Sequence, residues 1–173
     1  MLRRGLASPL GLAEDKVRII RSEVGGGFGG KVETFPFQLA SAHLSRITGR
    51  PVKVNLTREE VFVCTRQRHP TVLKLRTGVK KDGTLVSQDA NYIVDCGAYM
   101  GLGVLVMVIS SYMLMVPYIL PNLRFQGTRV YTNKPVGGPL RGHGAPKVRF
   151  AAESQLDMIA NDLGIDPMDI RIK

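Results

Sequence analysis

The chain has 173 residues, of which 44% are hydrophobic and 22% are charged, and its formal net charge is +10. This length suits one ordinary domain, and this composition excludes a disordered chain. Two cysteines without a CxxC motif exclude a disulfide scaffold, a zinc module and a self-contained iron–sulfur site. The cationic excess lies in residues 1–81, which hold 16 Lys and Arg against six Asp and Glu.

The first third of the chain predicts short elements around a glycine-rich turn. Arg3–Leu12 indicates the end of a helix with a glycine stop, and Val17–Ser22 predicts a strand. Apolar residues recur at helical spacing over Thr34–Thr48, and Gly49 ends that predicted helix. Apolar and polar residues then alternate over residues 52–57, which predicts a half-buried strand.

The rest of the chain predicts a hairpin followed by helices and strands in turn. Apolar and charged residues alternate over residues 73–80, and Asp82-Gly83 supplies a turn into a strand over Leu85–Val94. The later predicted elements are an apolar helix within Val104–Leu120, a strand over Arg124–Thr132, a helix over Ala145–Leu163 and a last helix opened by Asp166-Pro167. This order predicts an α+β fold, with helices packed on a mixed or antiparallel sheet.

The apolar segment within Val104–Leu120 is a candidate membrane span, since no charged residue lies between Asp95 and Arg124. A span needs about 20 consecutive apolar residues. Glycines and prolines interrupt this run, and Ser110 and Ser111 lie at its centre. The sequence therefore favours a buried helix and no membrane association. Because the helix is apolar all round, we expect part of its cover to come from outside this chain.

The segment Gly25-Gly26-Gly27-Phe28-Gly29-Gly30-Lys31 is the sharpest local motif. Glycines between a strand and a helix permit positive φ angles and let backbone N–H groups approach an anionic ligand. The segment is not a P-loop, because Val32 follows the lysine where a hydroxyl is required. The residues alone leave two alternatives, a phosphate or cofactor loop and a structural glycine turn.

A second glycine-rich segment, Pro139-Leu140-Arg141-Gly142-His143-Gly144-Ala145-Pro146, opens a predicted helix. An arginine flanked by glycine at a helix N-terminus can donate several hydrogen bonds to an oxyanion. His143 is compatible with a base, a ligand or a stacking surface, and also with a solvated loop histidine. The carboxylates indicate no catalytic pair, since Glu153 and Asp157 lie four residues apart on a helix surface.

Taken together, these motifs resemble the molybdenum-cofactor-binding subunit of the xanthine oxidase family. That family includes aldehyde oxidases, carbon monoxide dehydrogenase, nicotinate dehydrogenase and 4-hydroxybenzoyl-CoA reductase. The resemblance covers essentially the whole chain in order. Besides the two glycine-rich loops, its motifs are Arg50-Pro51-Val52-Lys53, Thr57-Arg58-Glu59-Glu60, Arg68-His69-Pro70, Lys81-Asp82-Gly83-Thr84-Leu85, Gly97-Ala98-Tyr99, Ala152-Glu153-Ser154 and Leu163-Gly164-Ile165-Asp166-Pro167.

The resemblance implies that residues 1–173 form a single partial domain, a fragment of a longer molybdenum subunit that is inactive alone. It implies that Gly27, Phe28, Gly29 and Arg141 bind molybdenum-bearing molybdopterin, either bare or in the cytosine dinucleotide form. The glutamate that acts as the family's catalytic base is expected beyond the last residue of this chain. We therefore expect no catalytic residue and no metal ligand within the chain.

The resemblance also implies a substrate pocket lined by Val32, Ile109 and His143. Val32 stands where xanthine-converting members have a substrate-binding glutamate, Ile109 falls near a purine-polarising arginine, and His143 replaces a stacking phenylalanine. Losing two charges that would bind and polarise a purine argues against a purine substrate. Val32 and His143 are similar to the 4-hydroxybenzoyl-CoA reductase branch, which implies oxidation or reductive dehydroxylation of an aromatic or heteroaromatic compound, or oxidation of an aldehyde.

The implied partners are the remainder of the molybdenum subunit, together with subunits or domains that carry 2Fe–2S clusters and FAD, in the cytoplasm. The chief alternative is a non-catalytic relic or assembly module of the same fold, which would bind no pterin. Nucleic-acid binding depends on charge alone, because aromatic residues make up only 6% of the chain and do not interleave with basic ones. We therefore expect no nucleic-acid partner.

Overall fold

A computed structural model describes all residues, 1–173. The chain divides into two compact units, Met1–Gln67 (unit 1) and Arg68–Lys173 (unit 2), and each is described by itself. The single partial domain expected over residues 1–173 stays a prediction.

Unit 1 consists of short helices joined by irregular segments. Its helices are α1 (Leu2–Ala7), a 3-10 turn (Glu14–Lys16), α2 (Pro36–Thr48) and α3 (Arg58–Cys64). The helix predicted over residues 34–48 is confirmed, and Gly49 ends it in the left-handed conformation at φ 65°. The helix α3 begins at a capping box, in which the Thr57 hydroxyl accepts from the Glu60 N–H and the Glu60 carboxylate accepts from the Thr57 N–H.

The two strands predicted in unit 1 are wrong. Residues 17–22 and 52–57 form no strand and belong to no sheet. A strand needs a neighbour for its backbone N–H and C=O groups, and neither segment has one. Their apolar side chains consequently remain accessible, with Ile20 76% exposed and Val54 42% exposed. Alternation in a sequence predicts an extended backbone but cannot supply the pairing partner.

Unit 2 contains the sheet. Its strands β2 (Thr71–Val79), β3 (Leu85–Asp95) and β4 (Asn122–Val130) lie in the order β2-β3-β4. The first pair is antiparallel and the second is parallel, which confirms the predicted mixed sheet. The two-residue strands β1 (Gln67–Arg68) and β5 (Gly137–Gly138) complete the strand set, with β1 at the boundary between the units.

One face of this sheet forms the core. Ala90, Tyr92 and Val94 of β3 are fully buried, and the register places Leu75 opposite Ala90 and Leu73 opposite Tyr92. The helices α4 (Gly103–Met115) and α5 (Ala145–Leu163) pack against each other and against the sheet. They add Leu114, Val148 and Ala152 to the cluster. The α5 helix has the predicted bounds, and α6 (Pro167–Ile172) follows it, capped by the Asp166 carboxylate.

The apolar helix α4 has two different faces. Gly103, Val106, Ser110 and Leu114 are buried at helical spacing, whereas Val108 and Tyr112 on the other side are exposed. This chain therefore covers α4 on one side only, and the expectation that further cover comes from outside the chain stays a prediction. None of the helices combines the length and the hydropathy that crossing a bilayer requires.

Asp95, the last residue of β3, links that strand to the segment that follows β4. Asp95 accepts from the Thr132 hydroxyl at 2.6 Å, the Lys134 ammonium at 2.9 Å and the Gly97 N–H at 2.9 Å. These hydrogen bonds, with Thr132 the largest influence, lower the pKa of Asp95 to about 2.

Candidate functional site

The first glycine-rich loop, Gly25–Lys31, is an irregular turn in unit 1. Gly26, Phe28 and Gly29 have positive φ angles of 126°, 47° and 91°. The Gly30 N–H donates to the Gly27 carbonyl at 2.7 Å, which closes the turn. The Phe28 ring lies so close to Gly26 that a Cβ there would meet the ring at 2.6 Å. The loop is therefore shaped by its own backbone and by one aromatic ring.

The backbone of this loop is open to a ligand. A Cβ on Gly25 would meet nothing within 4 Å, and one on Gly27 would meet only the Lys31 Cβ at 3.7 Å. Space of this kind beside successive backbone N–H groups permits close approach of an anion. Val32, the first predicted pocket residue, is exposed directly after the loop.

The segment after the first loop is anchored to α2. The Arg66 guanidinium forms an ion pair with Glu33 and lies over the Phe35 ring, 5.5 Å from its centroid. The Phe35 N–H donates to Gln38 Oε1 at 2.9 Å, and the Phe35 and Phe37 rings stack at 5.5 Å. These contacts hold the segment between the first loop and the N-terminus of α2 in place.

The second loop, in unit 2, is more constrained. Arg141, Gly142, His143 and Gly144 all have positive φ angles, of 26°, 97°, 47° and 98°. Two of these residues are non-glycine, and such conformations are costly unless the surroundings enforce them. A Cβ on Gly144 would meet Ser110 Oγ at 2.5 Å, so the loop lies directly against α4.

Two cations hold the backbone of the second loop region. The Arg68 guanidinium donates to the Arg141 carbonyl at 3.1 Å, and the Lys147 ammonium donates to the His69 carbonyl at 3.0 Å. Burial, followed by the positive charge of Arg68, lowers the pKa of Lys147 to about 8. His69 itself is buried, as expected of a structural histidine.

The predicted residues of unit 2 lie in the loop before α5 and in the middle of α4. Arg141 is exposed and His143 is half-buried in the same loop. The His143 Nε2 atom is buried and has no hydrogen-bond partner within the chain. Ile109 is half-buried on α4, next to Ser110, the residue that contacts the loop at Gly144. The structure thus brings the helix that carries Ile109 against the loop that carries Arg141 and His143.

The cluster around Glu153 was not predicted, because the sequence pattern assigns that residue to a helix surface. Its carboxylate accepts from the Tyr118 hydroxyl at 2.9 and 3.0 Å and from Arg171 Nε at 2.8 Å, and it also pairs with Arg149. Arg171 reaches Asp157 as well, at 2.7 Å. The i,i+4 spacing of Arg149 and Glu153 on a helix predicts their ion pair. The contacts of Glu153 with Tyr118 and Arg171 depend on the tertiary fold.

The sequence pattern also does not predict the contacts of Arg68 and Lys147 with backbone carbonyls. A lysine in the first turn of a helix, where cations are disfavoured by the helix dipole, was an available signal.

Comparison with known proteins identifies the family. The model of the molybdopterin cofactor-binding domain matches residues 1–173. The chain is 40% identical over 170 residues to the nicotinate dehydrogenase large molybdopterin subunit of Eubacterium barkeri, covering 98% of this chain and 40% of that protein. It is 39% identical over 175 residues to the xanthine dehydrogenase molybdenum-binding subunit of Escherichia coli O157:H7, covering 100% of this chain and 23% of that protein.

The fold comparison agrees. The aldehyde oxidoreductase of Desulfovibrio gigas superposes with a TM-score of 0.92 at 32% identity, over 98% of this chain and 18% of that one. The resemblance expected from the motifs and the α+β fold are both confirmed. The chain spans well under half the length of each of these relatives.

Proposed function

The chain belongs to the molybdopterin cofactor-binding domain family of the xanthine dehydrogenase and aldehyde oxidoreductase type, and on this premise we propose that its two glycine-rich loops bind the molybdenum cofactor of an oxidoreductase. The observation that carries the proposal is the run of four positive φ angles over Arg141–Gly144, immediately before α5. The run leads directly into the N-terminus of α5, where backbone N–H groups and the helix dipole favour negative charge.

The residues present fit this cofactor. Its phosphate is anionic, and the loops offer backbone N–H donors at Gly27, Phe28 and Gly29 and the side chain of Arg141. The open space beside Gly25 and Gly27 leaves room for a ligand at the first loop. When bound, the cofactor supplies the redox chemistry, while this chain binds and orients it. We propose the cytosine dinucleotide form as the one held.

The substrate we propose is a small aromatic or heteroaromatic compound, or an aldehyde. We propose that Val32, Ile109 and His143 contact the substrate. These residues offer two aliphatic side chains and one imidazole ring but no carboxylate or guanidinium. Such groups can orient a substrate by packing and stacking without an ion pair. The names nicotinate dehydrogenase and aldehyde oxidoreductase among the relatives support this range.

Membership of this family also supports a proposal about the partners that transfer electrons. We propose that the chain works as part of a larger molybdenum subunit, in the cytoplasm, with iron–sulfur and FAD subunits or domains, and that it is inactive alone. Its relatives are described as subunits, such as the large molybdopterin subunit of nicotinate dehydrogenase, which supports an assembly of this kind.

Metal and nucleotide analysis of the native protein tests the proposal. The protein should be purified from its own host in mild salt, and its molybdenum measured by inductively coupled plasma mass spectrometry. Acid hydrolysis followed by chromatography then measures released CMP. We expect stoichiometric molybdenum, equimolar CMP, and copurifying iron and flavin. Absence of molybdenum and pterin would contradict the proposal and leave a non-catalytic module of the same fold.

A further inference from the structure

The contacts of Arg68 and Lys147 with the second loop extend the proposed function, on which this inference rests. The two side chains cross-link two separate segments of unit 2. Arg68 reaches from residue 68 to the Arg141 carbonyl, and Lys147 reaches back from the first turn of α5 to the His69 carbonyl. Two hydrogen bonds therefore link residues 68–69 with residues 141–147, and each segment donates one of them.

The bond from Arg68 sets the direction of an N–H group in the loop. In a trans peptide the carbonyl of one residue and the N–H of the next point to opposite sides. The Arg141–Gly142 peptide is trans, so an Arg141 carbonyl held toward Arg68 turns the Gly142 N–H away from it. Gly142 is exposed, so this N–H side of the peptide is accessible to a ligand.

The placement of Lys147 is unfavourable for folding alone. It lies half-buried in the first turn of α5, where the helix dipole disfavours a cation. The titratable groups that act on its pKa are the Arg68 guanidinium, which is charged, and the buried Cys96 thiol, and no carboxylate is among them. A neutral side chain could cap the His69 carbonyl without this repulsion, so the pair of cations indicates a role at the loop.

We propose that Arg68 and Lys147 are positioning residues: Arg68 holds the Arg141–Gly142 peptide so that the Gly142 N–H faces the anionic part of the cofactor, and Lys147 holds the segment that carries Arg68 through the His69 carbonyl. Neither residue needs to contact the cofactor. The loop alone cannot hold this shape, because two of its four left-handed residues are non-glycine.

Four variants of the native holoprotein test this role. Lys147→Met and Arg68→Gln shorten or remove the donor, Lys147→Gln keeps a neutral donor, and Lys74→Met removes an exposed cation on β2 as the matched control. Hydrogen–deuterium exchange over residues 139–147 measures the loop, and the rate of molybdenum loss during incubation measures cofactor retention. Melting temperature reports on the rest of the fold.

We expect Lys147→Met and Arg68→Gln to raise exchange over residues 139–147 and molybdenum loss about tenfold each, as for one lost charge-assisted hydrogen bond. Exchange in β2 and β3 should stay unchanged, Lys147→Gln should lie closer to wild type, and Lys74→Met should match it. Unchanged exchange over 139–147 would overturn the proposal. Faster exchange with unchanged molybdenum loss would overturn the positioning role.

Failure of the proposed function is a separate result. A wild-type protein without molybdenum contradicts cofactor binding, and hence the positioning of N–H groups toward it. The exchange of residues 139–147 in the four variants would still decide whether the two cations hold the loop.

Discussion

The two units each carry a glycine-rich loop, but they hold it by different means. In unit 1 the loop is closed by its own Gly30–Gly27 hydrogen bond and by the Phe28 ring beside Gly26. In unit 2 the loop is held by Arg68 and by packing of Gly144 against Ser110 of α4. The first arrangement is local to the loop, whereas the second depends on neighbouring elements.

This difference follows from how much core each unit has. The buried hydrophobic residues of unit 1 are Leu6, Ala7 and Phe35, and its helices are short. Unit 2 has a sheet covered by two helices, and its loop packs against one of them, α4. Changes in the first loop should therefore affect binding without affecting folding, whereas changes in the second loop should affect both.

The sharpest way to test this comparison is to add one methyl group to a glycine in each loop. Gly144→Ala places a Cβ 2.5 Å from Ser110 Oγ and 2.7 Å from the Val106 carbonyl, at a φ of 98°. Steric overlap and left-handed strain together should lower the free energy of unfolding by about 3 kcal/mol or more. Urea unfolding followed by circular dichroism measures it.

Gly25→Ala is the matched substitution in unit 1. Its Cβ meets nothing within 4 Å, so we expect a change within about 0.5 kcal/mol. Equal destabilisation by the two substitutions would contradict the comparison.

A second test compares one carboxylate from each unit. Glu153→Ala removes the acceptor of Tyr118, Arg149 and Arg171 in a partly buried cluster, and should cost about 2 kcal/mol. Glu14→Ala removes exposed pairs with Arg3 and Arg4 and should cost at most about 0.5 kcal/mol. Thermal unfolding at low and high salt distinguishes them, since only the exposed pairs should be fully screened. A Glu153→Ala cost as small as that of Glu14→Ala would show the cluster to be solvated.

The success of sequence prediction also differs between the units. In unit 2, the hairpin, β4, α5 and the final helix were predicted, because alternation and capping signals there coincide with real neighbours. In unit 1, residues 17–22 and 52–57 carry the same alternation but have no strand beside them. Local pattern predicts the backbone, whereas sheet formation depends on a partner elsewhere.

The candidate site shows the same limit. The glycine-rich loops were found because positive φ angles favour glycine, and Gly26, Gly29, Gly142 and Gly144 do adopt them. Arg68, by contrast, contacts a carbonyl 73 residues away. No spacing rule predicts such a contact, because only the folded chain brings those segments together.

A pH-dependent effect is expected from the charge of Lys147. Its pKa of about 8 in the folded protein lies below the ordinary 10.5, so between these values the unfolded chain binds more protons. The unfavourable contribution of Lys147 is therefore complete below pH 8 and declines as the pH rises toward 10.5. The stability of the wild type relative to Lys147→Gln should accordingly increase over that range, as measured by urea unfolding.

Two other groups around Lys147 bear on this measurement. Arg68 stays charged throughout the range. Burial raises the pKa of Cys96 and the charge of Lys147 lowers it, so the contribution of Cys96 cancels only in part, and Cys96→Ala in both proteins removes it from the comparison. A stability difference that does not vary with pH would show that Lys147 is not desolvated by the fold.

The smallest effect on folding is expected at Phe28, whose side chain is 67% exposed. Phe28→Ala keeps the backbone N–H, so the free energy of unfolding should change by about 0.5 kcal/mol or less, and molybdenum should be retained. Phe28→Pro removes that N–H and forbids the φ of 47°, so it should lose molybdenum while unit 2 unfolds at an unchanged urea concentration. Molybdenum loss from Phe28→Ala as large as from Phe28→Pro would show that the ring, and not the backbone, carries the cofactor contact.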